Sequence, residues 1–114
     1  MGNDWGLQNR LARIIKPETG KTVMLAVDHG YFLGPTTGLE EPRKTSEPLL
    51  PYADSLMLTR GVLRTSVDSS FPIPIVLRVS GGTSILKELS NEAITTSIEE
   101  AIRLNASAVT CSIF

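Results

Sequence analysis

The chain has 114 residues, a length that fits one domain and excludes an arrangement of two full-sized domains. Eleven Lys and Arg residues stand against twelve Asp and Glu residues, so the net charge of −1 gives no basic field for nucleic acid or an anionic membrane. Hydrophobic residues make up 41% of the chain and charged residues 20%, which is typical of a folded globular protein.

The first predicted element is an amphipathic helix near the N-terminus. Its apolar side chains recur at helical spacing, with basic side chains on the other face. Pro17 ends the pattern because proline lacks the backbone N–H that a helix interior needs. The apolar positions are Trp5, Leu7, Leu11, Ile14 and Ile15, and the basic ones are Arg10, Arg13 and Lys16.

A strand is predicted next, over residues 22–27, because consecutive apolar residues are typical of a parallel strand covered on both faces. Residues 30–45 contain three Gly and two Pro and are too long for a plain connection, so we expect a functional loop. Ser46 is predicted to cap a short helix over residues 47–52.

Three further strands are predicted over residues 55–59, 73–79 and 108–114. Strands that alternate with helical segments indicate βαβ units and a parallel sheet. The pattern fits both an open four-stranded sheet and half of a (β/α)8 barrel. A complete barrel needs about 250 residues, so a barrel interpretation implies one incomplete domain over residues 1–114, ending after its fourth strand.

The helix before the last strand carries its own start and stop signals. Ser97 and Glu100 have the spacing of a capping box, in which each side chain satisfies a backbone N–H of the other residue. Asn105 is expected to end the helix in the left-handed conformation. The predicted buried stripe of this helix consists of Ile98, Ala101 and Ile102.

Candidate site residues follow the predicted strands, because ligands of parallel α/β sheets lie at the carboxyl ends of the strands. Asp28 and His29 leave the first strand together, just before a glycine. Such a carboxylate can orient a substrate hydroxyl or a lysine, and a histidine can transfer protons near neutral pH. The structural alternative is that Asp28 accepts backbone hydrogen bonds and His29 is a half-buried residue without a chemical role.

Two arginines end the second and third strands. Arg60 and Arg78 are candidates for binding a substrate phosphate or carboxylate, and the alternative is that they pair with Asp28, Asp54 or another acidic residue at the carboxyl ends of the strands. Residues 80–84 resemble a small phosphate-binding turn, although paired glycines also form simple turns.

Cofactor and metal motifs are missing from the sequence. No GxGxxG or GxxxxGK[ST] pattern occurs, and one His, one Cys and scattered acids do not form a spaced ligand set. Cys111 is predicted to be a small core residue rather than a nucleophile. A single cysteine, with no secretory signal and no apolar run of roughly 20 residues, favours a cytoplasmic location.

None of the four lysines ends a predicted strand. A Schiff-base lysine must be desolvated so that its amine is neutral enough to attack a carbonyl. If the chain belongs to a lysine-dependent aldolase, its nucleophile is therefore not expected among these residues. The lysines are Lys16, Lys21, Lys44 and Lys87.

Several segments together resemble a known family. Residues 20–32 (GKTVMLAVDHGYF) and 34–40 (GPTTGLE) closely resemble the start of the autoinducer-2-processing aldolase/thiolases, within the superfamily of archaeal-type class I fructose-bisphosphate aldolases. The resemblance continues through residues 59–61, 76–78 and 84–93, and so covers nearly the whole chain.

The resemblance implies a (β/α)8 barrel, decameric in relatives, with Asp28 and His29 as site residues on the first strand. It implies transfer of an acetyl group to coenzyme A, as co-substrate, from a phosphorylated five-carbon diketone derived from the quorum-sensing signal autoinducer-2, leaving dihydroxyacetone phosphate. The Schiff-base lysine of strand six and the phosphate loops after strands seven and eight have no counterpart here. We therefore expect the 114-residue chain to be inactive alone.

Two other functions stay open at this point. One is a sugar-phosphate aldolase of the fructose-bisphosphate type, which would share the Asp28-His29-Gly30 segment. The other is a non-catalytic assembly module that pairs with a second half-barrel. No bound cofactor, nucleic-acid partner or membrane partner is expected in any of these cases.

Overall fold

The structure is a computed structural model that describes residues 4–29, 37–81 and 93–113. Four strands in the described residues form a parallel sheet, and two short strands form a separate antiparallel pair. In chain order the elements are α1 (Trp5–Ile14), β1 (Met24–Ala26), α2 (Pro42–Ser46), a 3₁₀ helix (Glu47–Tyr52), β2 (Ser55–Leu58), α3 (Arg60–Ser66), β3 (Ile75–Arg78), β4 (Ser80–Gly81), β5 (Ala93–Ile94), α4 (Ile98–Arg103) and β6 (Ala108–Thr110).

The parallel sheet has the order β1-β2-β3-β6, so chain order and spatial order agree. All three pairings are parallel, which confirms the predicted four strands and their direction. In the register Ala26 lies beside Met57, and Met57 lies beside Val76. This alignment brings the carboxyl ends of the four strands to the same edge of the sheet.

The core is centred on β2 and β3. Leu56, Leu58 and Leu77 have no exposed surface, and Val27 and Val79 extend the buried cluster at the ends of their strands. Burial of each such side chain contributes roughly 1.5–3 kcal/mol. The sheet interior is therefore the main source of stability for this part of the chain.

Three helices begin at polar side chains that accept backbone N–H groups. Asp4 caps α1, Thr59 caps α3 and Ser97 caps α4. The predicted cap at Ser97 is confirmed, and so is the left-handed conformation of Asn105, whose φ is 57°. The reciprocal half of the capping box is wrong, because the Glu100 carboxylate binds arginines of α3 instead.

Helices α2 and α3 and the antiparallel pair β4–β5 were not predicted from the sequence. Helix α3 begins directly at the end of β2, so its first residues look like the polar end of a strand. The predicted helix over residues 47–52 is present as the 3₁₀ helix, but Ser46 does not cap it by a side-chain hydrogen bond. The Ser46 hydroxyl instead donates to the Pro42 carbonyl at 2.7 Å.

Most of the apolar side chains on α1 and α4 stay exposed, contrary to the stripe predicted for α4. Ala101 is buried, whereas Ile98 and Ile102 are 58% and 71% exposed. On α1 only Ile14 is buried, and Trp5 is 76% exposed. Periodicity identifies the apolar face of a helix but does not show whether other residues pack against that face. No helix in the described part of the chain is long and apolar enough to span a membrane.

Replacing Leu77 with alanine is expected to lower the free energy of unfolding by about 2–5 kcal/mol, because a fully buried position in the central strand leaves a cavity. The matched control is Leu49→Ala at a 45% exposed position, where the change should stay within about 0.5 kcal/mol. Urea denaturation of the complete polypeptide measures both. Equal losses for the two variants would contradict the placement of the core.

Candidate active site at the carboxyl edge of the sheet

The candidate site lies where β1, β3 and β6 end. Asp28 and His29 follow β1 by two and three residues, Arg78 is the last residue of β3, and Ser112 follows β6 by two residues. Continuing the register two residues beyond Ala26 and Val76 places Asp28 and Arg78 in one cross-sheet row, with Thr59, the residue after β2, between them. Side chains in one row of a parallel sheet point to the same face.

A buried ion pair joins two of the predicted site residues. Arg78 Nη1 lies 3.0 Å from Asp28 Oδ2, and the side chains are 10% and 8% exposed. The two strands are not neighbours, so the arginine reaches across β2, a span of roughly 9–10 Å between strand axes. In a (β/α)8 barrel, side chains that meet inside one layer come from alternate strands, and this pair has that arrangement.

The same guanidinium group contacts the two chain segments that end at this edge. Arg78 Nη2 donates to Ser112 Oγ at 2.6 Å, and Arg78 Nε donates to the Ser80 carbonyl at 3.2 Å. Ser112 N also donates to Ser80 Oγ at 3.1 Å. The ends of β1, β3 and β6 are thus connected by one polar network.

The network satisfies the requirement that buried charges be paired. An isolated charge at this depth would lose its hydration, whereas a paired charge with further hydrogen bonds keeps its ionised form. Asp28 therefore lies beside a permanent cation, since arginine stays protonated in proteins. A carboxylate at this position can accept a proton from a substrate or from a lysine.

His29 lies beside Asp28 in the chain but in a different environment. It is an exposed residue in the turn after β1, so the alternative of a half-buried histidine is wrong. The segment that follows, residues 30–36, lies outside the described residues, and with it most of the predicted functional loop. A role for His29 in catalysis stays a prediction.

Arg60 occupies a different place from Arg78. It is the first residue of α3, and its Nη1 contacts Glu100 Oε2 at 2.6 Å, while Arg64 Nη2 contacts Oε1 of the same carboxylate at 2.6 Å. Hydrogen bonds from Arg64 and then Arg60 lower the pKa of Glu100 from its ordinary value of 4.5. The contact links α3 to α4, and substrate binding by Arg60 stays a prediction.

Other predicted features are placed less centrally. Cys111 is exposed, so the expectation that it is a core residue is wrong for this structure. Of the predicted phosphate turn, Ser80 and Gly81 form β4, and residues 82–84 lie outside the described residues. No group of three metal-ligating side chains occurs within residues 4–29, 37–81 and 93–113.

The lysines that the structure describes lie away from the strand ends. Lys16 pairs through its backbone with Lys21 in an isolated antiparallel bridge. Lys44 lies in α2 and forms an exposed ion pair with Glu41. Lys87 lies outside the described residues. None of the three described lysines is at the carboxyl end of a parallel strand.

One site residue, Ser112, was missed by the sequence analysis, and Ser80 was considered only as part of the phosphate-binding turn of residues 80–84. Both bind within the network of Arg78, and both are small polar residues near a strand end. The signal that was available is their position after an apolar run. Many residues that end strands without having a role in a site share this position.

Comparisons with known proteins identify the family. Residues 22–114 match the model of the DeoC/LacD family aldolases, and the chain belongs to this family. A protein of Yersinia pseudotuberculosis and one of Escherichia coli strain K12, both named 3-hydroxy-5-phosphonooxypentane-2,4-dione thiolase, are each 57% identical to it over 111 residues. The match covers 97% of this chain and 38% of each relative, so the chain spans well under half the length of these proteins.

Solved structures give the same result for the fold. A Schiff-base-forming fructose-1,6-bisphosphate aldolase matches with a TM-score of 0.77 at 28% identity, and an archaeal fructose-1,6-bisphosphate aldolase matches with a TM-score of 0.72 at 29% identity. Each match covers 95% of this chain and 44% of the solved chain. The predicted resemblance and the predicted fold class, the parallel strands and helices of half a (β/α)8 barrel, are confirmed.

We expect Glu100→Gln to destabilise the protein near neutral pH and to have little effect in acid. Because the folded pKa of Glu100 is lowered, its ion pairs stabilise the fold above the ordinary pKa of 4.5, and this stabilisation is lost as pH falls through the folded value. Urea denaturation across this pH range measures the difference between wild type and variant.

Glu99→Gln is the matched control, since Glu99 is an exposed neighbour on the same helix and has no ion pair within the described residues. A difference between wild type and Glu100→Gln that stays constant from neutral to acid pH would contradict the assignment of the pKa shift.

Proposed function

We propose that the chain is a part of a lysine-dependent class I aldolase-type enzyme that acts as a thiolase on 3-hydroxy-5-phosphonooxypentane-2,4-dione. The observation that carries the proposal is the buried ion pair of Asp28 with Arg78 at the carboxyl edge of the parallel sheet, in a chain that belongs to the DeoC/LacD family. The 57% identity to proteins named as this thiolase supports the choice of substrate.

The proposed reaction moves an acetyl group from carbon to sulfur. The bond between carbons 2 and 3 of the diketone breaks, and a bond forms between the acetyl carbon and the thiol sulfur of coenzyme A. The electron pair of the broken bond stays on carbon 3, which receives a proton that balances the one lost by the thiol. The products are acetyl-coenzyme A and dihydroxyacetone phosphate.

A protonated imine is the electron acceptor that this reaction needs. An amine bound at the carbon-4 carbonyl withdraws the electron pair that develops on carbon 3, in the way a Schiff-base lysine assists aldol cleavage. The relative that forms a Schiff base with fructose 1,6-bisphosphate supports this chemistry for the family. We place the lysine in the part of the polypeptide that corresponds to the remaining length of the relatives.

Asp28 is the proposed proton-transfer group in these residues. Its carboxylate is paired with Arg78 and lies at the strand edge where substrates of parallel barrels bind. It would accept a proton from the substrate or the lysine and return it later. His29, exposed in the adjacent turn, is proposed to exchange protons between this group and solvent.

Arg60 is proposed to contact the substrate through its exposed surface. Its side chain is 44% exposed while it is paired with Glu100. An arginine with an exposed guanidinium surface can bind a phosphate oxygen without leaving its first partner, because it has five N–H donors. Coenzyme A is the proposed co-substrate, and the exposed apolar side chains of α1 support the proposal of a homo-oligomer such as a decamer.

Two other functions remain as alternatives. A fructose-bisphosphate-type aldolase is favoured by the solved structures, which match 95% of the chain at TM-scores of 0.72 and 0.77. A non-catalytic assembly module is favoured by the exposed apolar face of α1 and by the absence of a strand-end lysine among the described residues. A cytoplasmic location is proposed from the single cysteine alone.

Substrate assays separate these functions. We expect the complete polypeptide to form acetyl-coenzyme A from the phosphorylated diketone faster than it cleaves fructose 1,6-bisphosphate, and the isolated 114-residue chain to turn over neither. A chimera in which this chain replaces the matching 38% of the Escherichia coli thiolase should retain the thiolase activity. Faster cleavage of the bisphosphate would favour the aldolase, and steady turnover by the isolated chain would contradict the placement of the lysine.

In the same polypeptide, Asp28→Asn is expected to lower kcat by about 100-fold or more, because an amide keeps the shape of the side chain but cannot accept the proton. Asp68→Asn is the control: Asp68 is exposed, and its side chain forms hydrogen bonds only with Ser70 among the described residues. Steady-state kinetics measure both. An unchanged kcat in Asp28→Asn would remove Asp28 from the proton-transfer role.

A further inference from the structure

The geometry points to Arg78 as a positioning residue for Asp28, with Ser112 fixing the direction of its guanidinium group, rather than as a ligand of the substrate. This inference rests on the proposed function for its kinetic consequences. It differs from the expectation that Arg78, like Arg60, binds substrate, and the difference follows from what each guanidinium group contacts.

Arg78 is buried and bound on several sides. Its side chain is 10% exposed, and its three nitrogens each donate to a different partner in the protein: the Asp28 carboxylate, the Ser112 hydroxyl and the Ser80 carbonyl. A substrate phosphate would have to displace one of these acceptors and enter a site that has little accessible surface. The Arg60 side chain, 44% exposed, has no such constraint.

The contacts fix the plane of the guanidinium group. Because that group is planar and rigid, acceptors at Nε and Nη2 determine where Nη1 points. Nε is held by the Ser80 carbonyl at 3.2 Å and Nη2 by Ser112 Oγ at 2.6 Å. The remaining nitrogen, Nη1, is thereby directed at Asp28 Oδ2 at 3.0 Å.

Holding one carboxylate oxygen leaves the other for chemistry. Among the described residues, Oδ2 of Asp28 accepts the hydrogen bond from Arg78, and no hydrogen bond is made to Oδ1. The charge-assisted bond orients the carboxylate, so that Oδ1 presents its lone pairs in a constant direction. The orientation of a catalytic group strongly affects the reaction rate, since a displacement of about 1 Å can lower the rate by about 100-fold.

Ser112 is the part of this arrangement that can be altered with the least disturbance. Its hydroxyl binds Arg78, and its backbone N–H binds Ser80 Oγ, a contact that an alanine at position 112 retains. The variant Ser112→Ala therefore frees Nη2 from this acceptor without removing the buried charge pair. The variant tests the orientation of the Arg78 guanidinium group separately from its charge pair with Asp28.

The experiment combines crystal structures and kinetics of the complete polypeptide for Arg78→Ala, Arg78→Lys and Ser112→Ala. Arg103→Ala is the control, because Arg103 is exposed in the last turn of α4. In the Arg78→Ala structure we expect the Asp28 carboxylate to rotate away from its wild-type orientation while the strand backbone stays in place. An unrotated carboxylate would overturn the inference.

In kinetics with the phosphorylated diketone and coenzyme A, we expect kcat to fall by about 100-fold in Arg78→Ala and by roughly tenfold in Ser112→Ala, with KM for the diketone unchanged. Arg78→Lys should recover part of the loss, because an ammonium restores a cation beside Asp28 but not the three directed contacts. A raised KM with unchanged kcat would overturn the inference and make Arg78 a substrate ligand.

The structural measurement keeps the test independent of the proposed function. If the wild type turns over neither the diketone nor fructose 1,6-bisphosphate, the proposed function fails, and the orientation of Asp28 in the variant structures still decides the inference. If Arg78→Ala does not fold, Ser112→Ala provides both readouts, since it removes only one hydroxyl group.

Discussion

The parallel register of the sheet is the constraint from which the candidate site follows. It aligns Ala26 with Met57 and Met57 with Val76, so the residues two positions further on fall in one row at the carboxyl edge. A slip of one residue in either pairing would turn Asp28 and Arg78 to opposite faces. The fully buried Leu56, Leu58 and Leu77 oppose such a slip, because it would move them out of the core.

Arg60 and Arg78 occupy similar positions in the sequence but different environments in the structure. Both follow apolar runs, and the sequence gives no reason to treat them differently. In the structure Arg78 remains inside the strand and pairs with Asp28, whereas Arg60 begins a helix and pairs with Glu100 of another helix. The difference arises because Thr59 caps α3 and turns the chain out of the sheet one residue before Arg60.

The strands and the residues that end them could be predicted from the sequence, because a parallel strand needs an apolar run and the run ends where the chain reaches the sheet edge. Asp28 was found in this way. Its pairing with Arg78 was considered only as an alternative to substrate binding, because whether the arginine reaches across β2 depends on register, which local patterns do not contain. Ser112 was missed for the same reason. Periodicity predicted burial of Ile98 and Ile102, but burial also needs side chains that pack over them, and periodicity contains no information about those.

The division of chemistry within the proposed enzyme follows from the electrostatics of its groups. A Schiff-base lysine must be neutral to attack a carbonyl, which burial favours and an adjacent cation would also favour by repulsion. A proton-accepting carboxylate has the opposite requirement, because it must keep its charge while losing contact with water. Arg78 on the third strand places a cation 3.0 Å from the buried Asp28 carboxylate that follows the first strand. Since the cation is bound to the carboxylate and to two serine residues, its position is fixed before any substrate arrives, and the base needs no reorganisation when the proton moves.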